Sequence, residues 1–389
     1  MLRQNNRTRV HQIPVWTEMR PHARRLYIML IVWMLCICAI ISFARAQDKV
    51  RPPLLSATEQ EVMEPNEKEN IKAILDSSVN RLKSQFPDGK RPVLRDAHPK
   101  AHGFVSAEFI VLDGLPEELR HGIFKTPHTY KALIRFSAGN VEVQADTVPQ
   151  AAGMAIKLFD VDGEKLLDAE KDARTQDFIM INAPLFFVRN LQDYVLLHEA
   201  LDKGQLEAFF KSKPAETNAI LTIRGQKLFN PAQVRYWSMT PYLIGERAMK
   251  FSAIPISHTA NTPPTKPGPD FLREALKSQI SSGDTYYDFS IQLQGDPARM
   301  PIEDPVVEWN EADSPFQRVA IIRIPKQDIT SGDRDKIGEA LSFTPWHGLR
   351  EHRPLGSNNR ARRVIYEGVS EFRHRLNGVT RQEPTDIPW

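Results

Sequence analysis

Arg362 and Tyr366 stand four residues apart in a segment with helical patterning, which puts them one turn apart on one face. A permanent guanidinium charge beside a phenol would favour the phenolate, a hard anionic oxygen donor. The same pair is also an ordinary contact on an amphipathic helix. His98 and His102 are four apart as well, but Pro99 opposes a helix between them, so a helical zinc pair is not expected. A neutral imidazole at either position could take up a proton and return it. Both cysteines, Cys36 and Cys38, lie in one apolar stretch, so residues 47–389 hold none. A thiol nucleophile, a cysteine zinc site, an iron–sulfur cluster and a disulfide scaffold are thereby excluded from that part. Iron bound there would need His, Tyr or carboxylate ligands. P-loop, G-x-G-x-x-G, G-x-S-x-G and H-E-x-x-H motifs are absent.

The elements that must position these residues alternate in type. Residues 67–85 carry apolar positions at helical spacing. Phe104–Leu112, Tyr130–Phe136, Gly153–Phe159 and Asp177–Ile181 are short β-branched or aromatic runs bounded by Gly, Pro and Asp, the pattern of strands. Pro184–Leu201 and Lys203–Lys211 are expected to be helices. Strands then return at Val234–Met239, Ala248–Ile254, Tyr287–Leu293 and Arg318–Ile324. A short helix is expected within 331–342 and a final amphipathic one over Asn358–Leu376. About eight strands in two blocks of four predict an α+β fold, a closed antiparallel β-barrel with peripheral helices.

The chain has 389 residues, 41% hydrophobic and 25% charged, which suits a globular protein with a sizeable core. Its net charge of +3 comes from the N-terminus: residues 1–46 hold seven Arg and one Glu. Removing them from totals of 51 basic and 48 acidic residues leaves 44 and 47, a net of −3. That balance gives no footprint for nucleic acid. After a basic region over 1–25, residues 26–44 form an uncharged apolar run, followed by Ala44-Arg45-Ala46. Residues 26–46 are therefore either a cleaved signal peptide or a membrane anchor. Both place the remainder outside the cytoplasm: periplasmic or extracellular if cleaved, tethered to the inner membrane if not. Residues 47–66 look like a polar linker to a domain spanning 67–389.

Five segments, in order, make the chain resemble the haem catalase superfamily in its short, catalase-related branch. Arg95-Asp96-Ala97-His98-Pro99-Lys100 is similar to the R-x-x-H-A-K segment, and Ile134-Arg135-Phe136-Ser137 to the V-R-F-S strand. Ala145-Asp146-Thr147-Val148 with Gly153-Met154-Ala155-Ile156-Lys157 resembles the A-D-T-x-R-D-P-R-G-F-A-x-K block. Asn182–Arg189 resembles N-T-P-x-F-F-x-R, and Arg362 with Tyr366 matches R-x-x-x-Y, with Arg373 seven residues beyond. The likeness covers roughly 90–376 and includes Glu303–Trp309.

The resemblance implies a b-type haem and a peroxide substrate, hydrogen peroxide or an organic hydroperoxide. It implies Tyr366 as proximal iron ligand, with Arg362 supporting its phenolate. It implies His98 as distal acid–base, its imidazole fixed by Ser137, with His102 the competing candidate. Arg95, Arg135 and Arg373 fall where the haem propionates are held, and Phe186 and Tyr194 where aromatics pack on the ring. Asp146 falls on a channel carboxylate, though a turn-capping role suits it too. The distal Asn falls on Ile181, with Asn182 one residue away as its replacement. Gln150-Ala151-Ala152-Gly153 stands where the family has D-P-R-G. The competing expectation is a haem- or lipid-binding barrel, secreted or membrane-tethered, without turnover. Oligomeric state is left open.

Overall fold

The computed structural model describes residues 56–88, 90–256 and 261–389. The basic region 1–25, the apolar run 26–44 and the end at Ala46 lie outside the described residues. Among the described residues no helix is long and apolar enough to cross a membrane.

Nine strands and seven helices are described. β1 (Ala101–Val111), β2 (Thr129–Ala138), β3 (Ala152–Leu158) and β4 (Gln176–Ile181) form an antiparallel meander. β5 (Tyr236–Trp237), β6 (Tyr242–Ile244), β7 (Arg247–Pro255), β8 (Thr285–Leu293) and β9 (Gln317–Ile324) make the second block. β9 pairs with β1, and β5 bridges β4 and β7, closing a ring of eight strands; β6 hangs outside it on β7. The fold is the expected closed antiparallel barrel of the α+β class.

The strand alternation sorts side chains between two environments. Val105, Ala107, Phe109 and Val111 of β1 point inward, as do Ala132, Ile134 and Phe136 of β2. Phe109, Phe178, Phe251 and Phe289 meet at the centre with Phe124, ring centroids 4.8–6.3 Å apart. An eight-stranded barrel is just wide enough for such filling. A bound group must therefore use the outward positions, which include Arg135 and Ser137 of β2, Gly153 and Lys157 of β3, and Asp177 and Ile181 of β4.

The helices are α1 (Glu67–Gln85), α2 (Leu191–Asp202), α3 (Leu206–Ser212), α4 (Pro214–Arg224), α5 (Phe271–Ser282), α6 (Arg334–Ala340) and α7 (Ser357–Asn377). Ile71 and Ile74 of α1, Leu191 of α2, and Ala361 and Ile365 of α7 share one apolar cluster. On α7, Arg362, Tyr366 and Arg373 fall within about 40° of one another at 3.6 residues per turn.

Several boundaries differ from expectation. The helix expected from Pro184 starts at Leu191, because Asn190 caps it by accepting from the Asp193 N–H at 2.8 Å. Upstream, the Phe186 N–H donates to the Pro305 carbonyl at 2.9 Å, which ties this stretch to a distant loop. The expected Lys203–Lys211 helix is displaced to α3, and Val234–Met239 shrinks to two residues. α4, α5 and β6 were not expected. Residues 56–66 are strapped to the domain rather than free: Ala57 is buried, Glu61 ion-pairs with Arg353 and Arg360, and the Val62 N–H donates to Glu303 at 2.9 Å.

Candidate functional site

Ser137, Gly153 and Ile181 are register partners across β2, β3 and β4, so they share the outward face. His98 enters this face from the loop before β1 with φ 58°, a left-handed conformation uncommon for a residue with a side chain. That twist brings Nδ1 to 3.0 Å from the Ser137 Oγ. A Cβ on Gly153 would lie 2.5 Å from Nδ1 and 2.6 Å from Oγ, so only glycine leaves room for the pair. Burial, then the charges of Arg135, Arg362 and Arg95, push the imidazole down to about 3. His98 is therefore neutral at ordinary pH, with one ring nitrogen held by Ser137. His102 sits within β1, fully buried, and both its ring nitrogens lack hydrogen-bond partners among the described residues.

Arg362 is buried on α7. It donates to the Tyr366 phenol oxygen at 3.3 Å, to Asn359 Oδ1 at 3.0 Å and to Thr240 Oγ1 at 3.2 Å. Asn359 in turn donates to the carbonyls of Pro241 and Leu355. Burial works against the guanidinium charge, but the Tyr366 and Tyr242 phenols outweigh it and hold its pKa above the usual value. Thr240 was not anticipated, since no sequence spacing links it to residue 362; Asn359 stands at i−3 on the same helix, a spacing that could have found it. Tyr194 of α2 lies in the same neighbourhood; burial and the nearby Tyr366 raise its phenol. Its ring is 6.1 Å from that of Phe186, edge-on, and both pack in a cluster with Ile181 and Met239.

The three arginines expected at one subsite do converge, and they converge on α6. Arg95 ion-pairs with the Glu339 carboxylate and donates to the Leu341 carbonyl at 2.8 Å. Arg135 reaches the same carboxylate at 3.1 Å and the His98 carbonyl at 2.8 Å. Arg373 donates to the carbonyls of Glu339 and Leu341. Burial favours the neutral carboxyl of Glu339, but Arg95 and Arg135 outweigh it and hold its pKa below the usual range. Burial lowers Arg373 to about 10, Glu339 opposing and Arg135 adding to the fall.

Two expectations need correction. Asn182 is buried, and its Oδ1 accepts the Ala152 N–H at 2.7 Å, so the amide is turned to backbone; only Nδ2 lacks a partner among the described residues. Ile181 takes the outward face instead. Asp146 accepts the Leu272 N–H at 2.9 Å and pairs with Lys100 at 2.7 Å, so it caps α5 rather than lining a channel.

A second charged cluster lies on the same wall. Lys157 pairs with Asp177 at 2.8 Å and Glu383 at 2.6 Å, while His347 bridges Glu170 and Asp177, each at 2.8 Å. Arg381 closes on Glu170 at 2.7 Å. Glu170, His347 and Glu383 have ligand atoms within 4.8 Å of one another, spacing that would suit a metal. The Lys157 ammonium already supplies the cation there.

No protein-family model matches the chain, and no curated protein matches it. Solved structures do. A fungal catalase at 1.9 Å superposes with a TM-score of 0.60 at 16% identity, covering 73% of this chain and 60% of its own. Catalase A from Saccharomyces cerevisiae gives 0.61 at 17% identity, covering 87% of this chain and 71% of its own. The chain has a catalase-like fold and spans three-fifths of the length of the first of these.

Proposed function

We propose that this protein is a haem-dependent oxidoreductase of the catalase or peroxidase type, acting on hydrogen peroxide or an organic hydroperoxide. The observation that carries the reading is the pairing of a neutral, Ser137-held His98 with Arg362–Tyr366 across one neighbourhood, beside a three-arginine cradle. These residues fit a haem. The cradle already holds a carboxylate, as it would the propionates. Tyr366 would offer its phenol oxygen to iron, and Phe186 and Tyr194 would offer ring faces. Bound haem would supply ferric iron able to exchange two electrons with a peroxide.

The rest falls to the chain's own side chains. Arg362 holds the Tyr366 oxygen in place through its hydrogen bond. Ser137 fixes the ring orientation of His98. His98 takes a proton from one peroxide oxygen and returns it to the other, which a neutral imidazole can do without leaving its place. Ile181, where an amide would orient the peroxide, makes the outward wall apolar, which suits an organic hydroperoxide as well as hydrogen peroxide. The same residue favours a second reading, a haem-binding protein without turnover. Lipid binding inside the barrel is disfavoured by the phenylalanine-filled interior. The 26–46 segment supports a location outside the cytoplasm.

The test is the absorption spectrum of protein produced with ample haem. A Soret band that is lost in Tyr366→Phe, with peroxide consumption abolished in His98→Ala, supports the enzyme. A Soret band without peroxide consumption supports the binding protein. A band unchanged in Tyr366→Phe removes Tyr366 as ligand.

A further inference from the structure

The arginine cradle is already occupied by part of the chain. Three guanidinium groups come from three places: the loop before β1, strand β2 and helix α7. They close on the last turn of α6, where one carboxylate and the backbone carbonyls of Gly338, Glu339 and Leu341 receive them. Arg135 is nearly inaccessible, its side chain 4% exposed, while Glu339 keeps 21% of its own surface open to solvent. Glu339 is thus the cradle's outward-facing anion. Three positive charges meet a single negative one, so the cluster is two anions short of balance, and buried charge of one sign is costly unless paired. The carboxylate engages Arg95 and Arg135, the donors that an incoming carboxylate would need.

We propose that Glu339 is an internal carboxylate latch: it holds Arg95 and Arg135 together in the unloaded protein, beside Arg373 on the Glu339 and Leu341 carbonyls, and a dianionic ligand binds by displacing the carboxylate from them. Glu339 therefore sets the affinity of the cradle for its ligand and opposes binding. The identity of that ligand as haem rests on the reading above; the latch itself rests on the contacts of Glu339. No covalent step is involved. The dianion gains the guanidinium donors, and the Glu339 side chain swings into solvent.

The test is a Soret titration of wild type and Glu339→Gln with haem and with haem dimethyl ester, which lacks both carboxylates. Glu339→Gln should bind haem about tenfold more tightly than wild type, and the two proteins should bind the ester alike. Equal or weaker haem binding by Glu339→Gln overturns the latch while leaving haem in place. Should neither protein show a Soret band, the haem reading fails and the latch is decided by the dicarboxylate glutarate. A larger rise in Tm with glutarate in Glu339→Gln than in wild type supports it; equal rises overturn it.

Discussion

Around Lys157, three cations (Lys157, His347, Arg381) face three anions (Asp177, Glu170, Glu383); around Glu339, three cations (Arg95, Arg135, Arg373) face one. Both clusters lie against the outward face of the same barrel wall, and both are largely buried. The first is complete: its charges cancel, and it ties the C-terminal segment around Glu383 to β3 and β4. The second is incomplete, with two more cations than anions. Buried charge that balances reads as structure, and buried charge that does not reads as a site.

The largest effect is expected where balance is broken. Lys157→Met leaves Asp177 and Glu383 buried without their ammonium and should cost about 3–5 kcal/mol in chemical denaturation. A cost below about 1 kcal/mol would show that the balanced cluster is not structural.

Titration comes next. Burial and Lys157 oppose a charge on His347, but Glu383 and Asp177 outweigh them and raise it to about 9. A folded-state value above the unfolded one means that its contribution is complete below about pH 6.5 and is lost as pH rises through about 9. The loss over that window should be on the order of 3 kcal/mol, and His347→Gln should flatten it. His98, lowered to about 3, has the opposite sign: stability falls as pH drops from about 6.5 toward 3. Denaturation midpoints against pH in the two His→Gln variants separate the limbs.

Gly153→Ala drives a methyl group into His98 and Ser137 and should cost about 1–3 kcal/mol. Its peroxide turnover should fall far more than its stability. A variant with full turnover would show that the His98–Ser137 geometry is dispensable.

The smallest change in stability is expected in the unbalanced cluster. Arg373→Gln removes one surplus charge, so folding should shift by less than about 1 kcal/mol. Haem affinity by Soret titration should nevertheless fall about tenfold. A stability loss as large as that of Lys157→Met would erase the contrast between the two clusters.

Much of this was legible in the residues. The strand blocks announce themselves because alternation and turn residues agree, and the five family-like segments place His98, Ser137, Arg135, Arg362 and Tyr366 in one neighbourhood. α5 was missed although Leu272, Leu276 and Ile280 stand at helical spacing; the Gly- and Pro-rich stretch before it hid the start. Asn182 was misplaced because a strand has period two, so a shift of one residue turns an amide from the outer face to the backbone. Glu339 carried no signal at all, and Lys157 matched its segment without any hint of its partners. Each is an ordinary charged residue in its own segment, and its meaning comes from partners as far as 244 and 226 positions away.

The ring of strands is stitched unevenly. β5 is two residues long and meets β4 through the single pair Ile181 and Trp237, whereas β1 and β2 run together along most of their length. Segments held by few backbone bonds open at the lowest free energy. Ile181 lies on the wall that carries His98, and Thr240, three residues past Trp237, braces Arg362. The thinnest seam of the cylinder therefore adjoins both flanks of the site, and loosening it would slacken the two together. Amide exchange should run fastest there within the sheet.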